Sequence, residues 1–381
     1  MHKLIAVAMP ANEHFVGVLE KIWESGDALL PLDGRTSKES TRALLEKMRP
    51  SELIDPSGDR IQLSHGIPIE EGDAVVVATS GTTGEPRGVI LTHQAVLASA
   101  LATSKRLEVD PSRDHWLACL PLAHIGGLSV VMRAVLTGTK VTLLERFDPA
   151  AIKEAAVGRG TNLVSLVPTM LKRVDPALFR RVVVGGSAPL DELPPNAVMT
   201  YGMTETGSGV VYNGIPLDGV EVRIDERGQI MLKGAMLLRC YRDGYDPKSA
   251  EGWLTTKDLG HIGQDGKLQV EGRADELIIS GGEKIWPQAV ERVLKEHPKI
   301  QEVAVTGVPD PYWGQAVVAL IVPIDIDDSP ALEEVHDIVT SRIAPYAAPK
   351  RIFNVRDLPR TNLGKLQRST LAKWAAELSS V

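Results

Sequence analysis

The stretch from Ala74 to Thr92, AVVVATSGTTGEPRGVILT, constrains the fold more than any other. Val75 to Val77 is a β-branched run that reads as a buried strand, and Val89 to Leu91 reads as a second. Between them lie serine, threonine and glycine. Gly81, Gly84 and Gly88 are expected to let the backbone take positive φ and approach an anion closely. Thr79, Ser80, Thr82 and Thr83 add hydroxyl donors, and Arg87 adds a fixed positive charge. Such a loop suits a polyphosphate. It is not a Walker A loop, since no Gly-Lys-Ser/Thr closes it. Nor do three glycines open a helix, as a dinucleotide fold requires. On composition alone a surface hairpin or linker fits the same residues.

The chain of 381 residues is too long for one small core, so two or more domains are expected. A net charge of −7 with no long basic run speaks against nucleic acid as a partner. No apolar stretch reaches membrane-spanning length, and the N-terminus lacks a charged-then-apolar leader. Cys119 and Cys240 suggest neither a disulfide framework nor a zinc site. The expectation is a cytoplasmic protein without a membrane partner.

Along the chain, apolar runs alternate with amphipathic ones. Strands are expected at His2 to Ala8 and Ala28 to Pro31. Helices are expected at Ala11 to Trp23, at Ser37 to Met48 with Ser37 or Thr36 as cap, and at His93 to Arg106. His115 to Leu128, HWLACLPLAHIGGL, ends an apolar run in a proline, a histidine and a glycine pair. Val182 to Gly186 is a buried-strand run opening into Ser187-Ala188-Pro189. Asp265-Gly266 reads as a type I′ hairpin turn. Pro287 to Leu294 reads as a helix with proline in its first turn. From Ile300 onward the pattern is that of a small α+β domain, with a helix from Ala331 to Arg342.

These segments together resemble the acyl-adenylate-forming superfamily of acyl-CoA ligases, carrier-protein adenylation domains and luciferases. The loop TSGTTGEPRG matches that family's phosphate loop, with only Arg87 standing where the family has lysine. VVVGGSAPL resembles its adenine-side segment, and VMTYGMTET, Val198 to Thr206, resembles its second strong motif. GWLTTKDLG, GRADELIISGGEKIWPQAVE and PRTNLGKLQR follow in family order. Short length and GGEKIWP look most like the small 2-succinylbenzoate-CoA ligases, which implies a cyclic or aromatic acid. Family members carry a longer region before GDALLPLDGR, Gly26 to Arg35. Its shortness here would thin the acyl pocket or leave a surface for a partner chain.

The resemblance implies a large N-terminal α/β domain of layered sheets and helices with a short β-rich subdomain, residues 1–272. A small mobile α+β domain, residues 273–381, would pivot near Asp275. It implies nucleotide contacts at Thr79, Ser80, Gly81, Thr82, Thr83, Gly84 and Arg87, at Gly185, Gly186, Ser187, Ala188 and Pro189, and at Tyr201, Gly202 and Met203. Tyr201 would stack on adenine, Thr204 would bind phosphate, and Glu205 would hold Mg²⁺. Asp258 and Arg273 would meet the ribose. His124, Gly126 and Gly127 would line the acyl pocket, Ser280, Gly281 and Gly282 would meet the pantetheine arm, and Lys365 would be the catalytic lysine. Taken singly, His124 reads equally as a core histidine, Asp258 as a turn residue and Lys365 as a solvated lysine.

The implied chemistry is attack of a carboxylate on the α-phosphate of ATP, with Mg²⁺ and Lys365 supplying positive charge where it develops. Transfer to the thiol of coenzyme A would follow. A carrier-protein thiol, a preformed adenylate made by a partner enzyme, and a non-catalytic ATP- or AMP-binding module stay open alternatives. So do the identity of the acid and the oligomeric state, a dimer included.

Overall fold

A computed structural model describes residues 1–80, 86–186, 192–360 and 366–379. The chain falls into two units. One comprises Met1–Arg223, Met231–Thr255 and Ile262–Leu268, and the other Ile224–Ile230, Thr256–His261 and Gln269–Val381. Val220–Ile224, Gln229–Gly234, Leu254–Ile262 and Leu268–Arg273 form one small four-stranded sheet.

In the first unit, Leu4–Val7 and Ala28–Pro31 are buried along their whole length and pair in parallel. Strands covered on both faces read as continuous apolar runs, which is how they appear in the sequence. The helix Glu13–Glu24 starts where Asn12 accepts a hydrogen bond from Phe15 N, and it buries Phe15, Leu19 and Ile22 on one stripe. Ser37 caps Lys38–Met48 in the same way. Asp73–Ser80 joins this sheet in parallel to Ala28–Pro31, turns back antiparallel as Pro86–Thr92, and is flanked there by the short strand Cys240–Tyr241.

A second sheet has a parallel core, His115–Ala118, Leu163–Leu166, Arg181–Val184 and Ala197–Met203, then turns antiparallel at Ser208–Tyr212. Between the strands run His93–Arg106, capped by Thr92, and Ile125–Thr137, most of whose residues are buried.

In the second unit the long strand Gly314–Pro323 alternates its side chains between two cores. Val317, Ala319 and Ile321 meet the helices Pro287–Leu294 and Leu332–Arg342. Val318, Leu320 and Val322 meet Arg368–Leu378. Period-two burial thus puts helices on both faces of one sheet.

One turn departs from expectation. Gly266 has φ 75°, but Asp265 is not left-handed. Gly266 N donates to Gly263 O, and Gly263 N to Lys267 O, so the hairpin closes through a type I turn followed by a left-handed glycine. The loop is one residue longer than Asp-Gly alone suggests. No helix among the described residues is long and apolar enough to cross a membrane.

The hairpin that carries the glycine-rich loop is held by charge. Asp73 is fully buried and takes two hydrogen bonds from Arg239, Nε to Oδ1 at 2.8 Å and Nη2 to Oδ2 at 2.9 Å. Removing one partner of a buried pair leaves the other charge uncompensated. Arg239 keeps Glu70 as a partner at 2.7 Å. Asp73→Ala is therefore expected to lower the stability of the first unit by about 3 kcal/mol, at the low end for such pairs, read from the first transition in urea.

Candidate active site

The hairpin register sets Val75 against Leu91, Val77 against Val89 and Thr79 against Arg87. Gly81, Thr82, Thr83 and Gly84 lie outside the described residues, and for Ser80 the backbone pairing with Pro86 is what is described. Thr79 Oγ1 donates to Arg87 O at 3.3 Å. Gly88 corrects its expected role. Its φ is not positive, and a Cβ there would sit 2.6 Å from Met48 Sδ and 2.9 Å from Val76 Cγ1. This glycine is required by core packing rather than by an approaching anion.

Arg87 is engaged on several sides. Its guanidinium lies 3.8 Å over the centroid of the Tyr241 ring and 5.5 Å from that of Tyr245, and Nη2 meets Asp243 Oδ2 at 3.0 Å. Tyr241 in turn donates its hydroxyl to Glu205 Oε1 at 2.9 Å. Burial and the Glu205 charge raise the Tyr241 phenol well above its ordinary range, so it stays a donor.

Glu205 sits in the single 3-10 turn Thr204–Thr206 that ends the strand Ala197–Met203. Buried Thr206 ties the turn: Met203 N donates to its Oγ1 at 2.9 Å, and Oγ1 donates to Ser208 O at 2.7 Å. Leu238 N donates to Glu205 O at 2.8 Å. The strand register shifts between Tyr201 and Gly202, where a Cβ on Gly202 would lie 2.2 Å from Ser208 O. Only glycine lets the two backbones meet there. Tyr201, Met203 and Thr204 are half-buried beside this bulge. At the neighbouring strand end, Gly185 leaves room for Thr200 Oγ1, and Gly186 has φ 87°. Ser187, Ala188 and Pro189 are outside the described residues.

On the acyl side, His124 is the N-cap residue of Ile125–Thr137, and Gly126 and Gly127 form the first turn. A Cβ on Gly127 would stand 2.5 Å from both Leu120 O and Pro121 O. The His124 ring contributes to holding the Asp33 carboxyl below its ordinary value, although the Arg35 hydrogen bond is the main cause.

Two turns along the same helix is a residue that the motif reading did not reach. Arg133 is 3% exposed. Its Nη2 reaches Ser208 Oγ at 3.3 Å and its guanidinium lies 4.9 Å from the Trp116 ring centroid, while Nε and Nη1 have no partner among the described residues. Burial pushes this guanidinium below its ordinary pKa. It borders a cavity of about 10 Å³ shared with Ser99, Ser129 and Gly207, room for a single water. The signal was present as one charge in the apolar run IGGLSVVMRAVLT.

In the second unit, Arg273 brings two expected residues together. Its Nε donates to Asp275 Oδ1 at 3.0 Å, and its Nη1 stands 3.9 Å from Asp258 Oδ1. Burial alone would raise the Asp275 carboxyl, but Arg273, helped by Lys257, outweighs it and holds it below the ordinary value. Ala274 N donates to Lys257 O at 2.7 Å. Gly281 and Gly282, with φ 60° and 88°, make a two-residue turn of the I′ kind between Ile278–Ser280 and Glu283–Ile285. Ser280 is buried, and its hydroxyl has no partner among the described residues. Lys365 lies outside the described residues. Three positions on, Arg368 pairs with Glu291 at 2.6 Å and Glu276 at 3.3 Å.

Among the described residues no three His, Cys, Asp or Glu side chains converge as a metal site. One carboxylate beside a threonine hydroxyl suits Mg²⁺, which keeps waters and takes its other oxygens from phosphates. Burial pushes the Cys119 thiol up to about 12, so it is no nucleophile.

A family model described as AMP-binding enzyme matches residues 29–242, and one described as AMP-binding enzyme C-terminal domain matches residues 289–365. The chain belongs to the AMP-binding enzyme family. It is 40% identical over 332 residues to the probable 2-succinylbenzoate–CoA ligase of Mycobacterium tuberculosis H37Rv, covering 81% of this chain and 86% of that one. It is similar to the solved o-succinylbenzoate CoA synthetase of Bacillus subtilis in complex with its acyl-adenylate intermediate. That match has a TM-score of 0.84 at 29% identity over 97% of this chain and 87% of the other. The same B. subtilis enzyme in complex with ATP and a magnesium ion gives a TM-score of 0.83 at 28% identity, over 97% and 89%. The resemblance to acyl-adenylate-forming enzymes is therefore met, as is the expected class of a large N-terminal α/β domain with a small C-terminal one.

The glycine at the strand bulge gives a direct check on this AMP-binding enzyme. Gly202→Ala forces the strand off Ser208 and displaces Tyr201 and Thr204. AMP affinity is expected to fall at least tenfold, about 1.4 kcal/mol or more, by calorimetric titration. Gly17→Ala, in open space on its helix, should leave it unchanged.

Proposed function

We propose that this chain is an AMP-forming acid–thiol ligase that activates 2-succinylbenzoate as its acyl-adenylate and transfers the acyl group to coenzyme A. The likeness to 2-succinylbenzoate–CoA ligases carries the proposal. Arg133 adds to it: a buried guanidinium with two nitrogens that have no partner among the described residues is costly unless an anion or a water meets it. 2-Succinylbenzoate has a second carboxylate besides the one that reacts, and an aromatic ring that suits apolar walls. A water in the small cavity, or the acid's own oxygen, would complete the guanidinium's hydrogen bonds.

In this reading, Thr79 and the glycine-rich loop hold the polyphosphate, Thr204 binds the α-phosphate and Tyr201 faces the adenine. Glu205 would hold magnesium, which when bound neutralises charge on the departing pyrophosphate. Lys365 would stabilise the oxygen at which the acid attacks. Asp258 and Arg273 would take the ribose. Residues 273–381 would then swing about Asp275, withdrawing Lys365 and bringing Ser280, Gly281 and Gly282 to the pantetheine arm. Residues 1–272 would keep the adenylate in place. We place the reaction in the cytoplasm with free coenzyme A as thiol. A second reading, transfer from an adenylate made elsewhere, draws on Arg87, which is tied to Asp243 and the tyrosines. Acid-dependent pyrophosphate exchange separates the two, and its absence would favour the second.

Arg133→Leu is expected to lower kcat/KM for 2-succinylbenzoate about 100-fold, on the order of 3 kcal/mol for a lost buried charge contact, while KM for ATP stays near its original value. Unaltered kinetics with the dicarboxylate would remove Arg133 from the reading. Lys365→Ala should abolish pyrophosphate exchange yet largely spare thioester formation from supplied adenylate. Equal loss in both assays contradicts the two-stance mechanism.

A further inference from the structure

We infer that Tyr241 is the positioning residue for the Glu205 carboxylate, and that Arg87 acts on the metal site through Tyr241. The inference rests on the ligase reading, in which Glu205 holds the cation.

Glu205 has a flexible stem, and among the described residues Tyr241 is its side-chain donor. Tyr241 hydroxyl donates to Oε1 at 2.9 Å, which leaves Oε2 for a cation. The hydroxyl is itself fixed from three directions. Tyr241 pairs with Val89 in the sheet, so its backbone is locked to the strand leaving the glycine-rich loop. The turn after it is closed by Gly244 N to Tyr241 O, Tyr241 N to Tyr245 O and Tyr245 N to Asp243 Oδ1. The Tyr245 ring lies parallel to the Tyr241 ring, 2° apart in plane and 6.2 Å between centroids.

Arg87 completes the brace. It stacks on the Tyr241 ring at 3.8 Å while holding Asp243 at 3.0 Å. A planar guanidinium lies flat on the ring while its edge forms hydrogen bonds in a fixed fork, a geometry that an ammonium does not reproduce. A cation over the ring also draws electron density from the phenol and strengthens its O–H as a donor. This gives the Arg87 departure from the family's lysine a physical role. The arginine belongs to a relay, Asp243 to Arg87 to Tyr241 to Glu205, that turns loop geometry into carboxylate orientation. Outer partners of metal ligands typically govern affinity by 10- to 100-fold.

The test uses the full-length enzyme, Mn²⁺ as the probe and α,β-methylene ATP as the nucleotide. Mn²⁺ affinity is read by electron paramagnetic resonance, and nucleotide affinity without metal by calorimetry. Tyr241→Phe removes only the hydroxyl and is expected to weaken Mn²⁺ about 10- to 100-fold, with metal-free nucleotide affinity within about twofold and the thermal midpoint unchanged. Arg87→Lys should fall between wild type and Tyr241→Phe. Mn²⁺ binding by Tyr241→Phe at the wild-type level overturns the inference, and so does equal loss of metal and metal-free nucleotide, which marks a merely structural role. Wild-type Mn²⁺ affinity in Arg87→Lys removes Arg87 from the relay. Glu205→Gln is the reference. If it binds Mn²⁺ normally, the metal assignment in the ligase reading fails, whereas its loss alongside a normal Tyr241→Phe sinks only the relay.

Discussion

Two residues of backbone pairing tie a distant segment of the first unit to the hairpin strand Pro86–Thr92. Cys240 and Tyr241 lie antiparallel to Ile90 and Val89, at the edge of a sheet whose other strands come from the first third of the chain. That short ladder fixes three side chains at once. Arg239 reaches the buried Asp73, Tyr241 reaches Glu205, and Arg242 donates to the carbonyls of Met48 and Ile67. A strand of two residues has little stability of its own. It persists because a desolvated ion pair and several carbonyl contacts flank it. The glycine-rich loop, the carboxylate turn and the first sheet thus share one anchor.

The parts legible in the sequence are those where one physical signal decides. His93–Arg106 and Pro287–Leu294 begin and end where their caps, periodicity and proline place them. Ala28–Pro31 is an apolar run buried on both faces. Gly88 was misread because its crowding comes from Met48, Val76 and Arg242, none of which is its neighbour in the chain. The Asp265-Gly266 hairpin was misread because register, not the dipeptide, sets loop length. Tyr241 was invisible for the same reason. It stands 36 positions from Glu205, and its neighbour Asp243 stands 156 from Arg87. Arg133 was legible in principle, as the one charged residue of an otherwise uncharged helix.

In the second unit, arginine sits at both ends of the functional sequence. Arg273 binds Asp275, where the chain would pivot, and Arg368 follows the lysine loop and binds Glu276 and Glu291. Glu276 is adjacent to Asp275 in the chain, so the two ion-pair groups are mechanically continuous. Burial raises the Glu276 carboxyl despite Arg368.

The half-partnered guanidinium of Arg133 has a consequence for folding. Two of its nitrogens are buried with no partner among the described residues, so any small anion or water that completes their hydrogen bonds shifts the folding equilibrium toward the native chain by mass action.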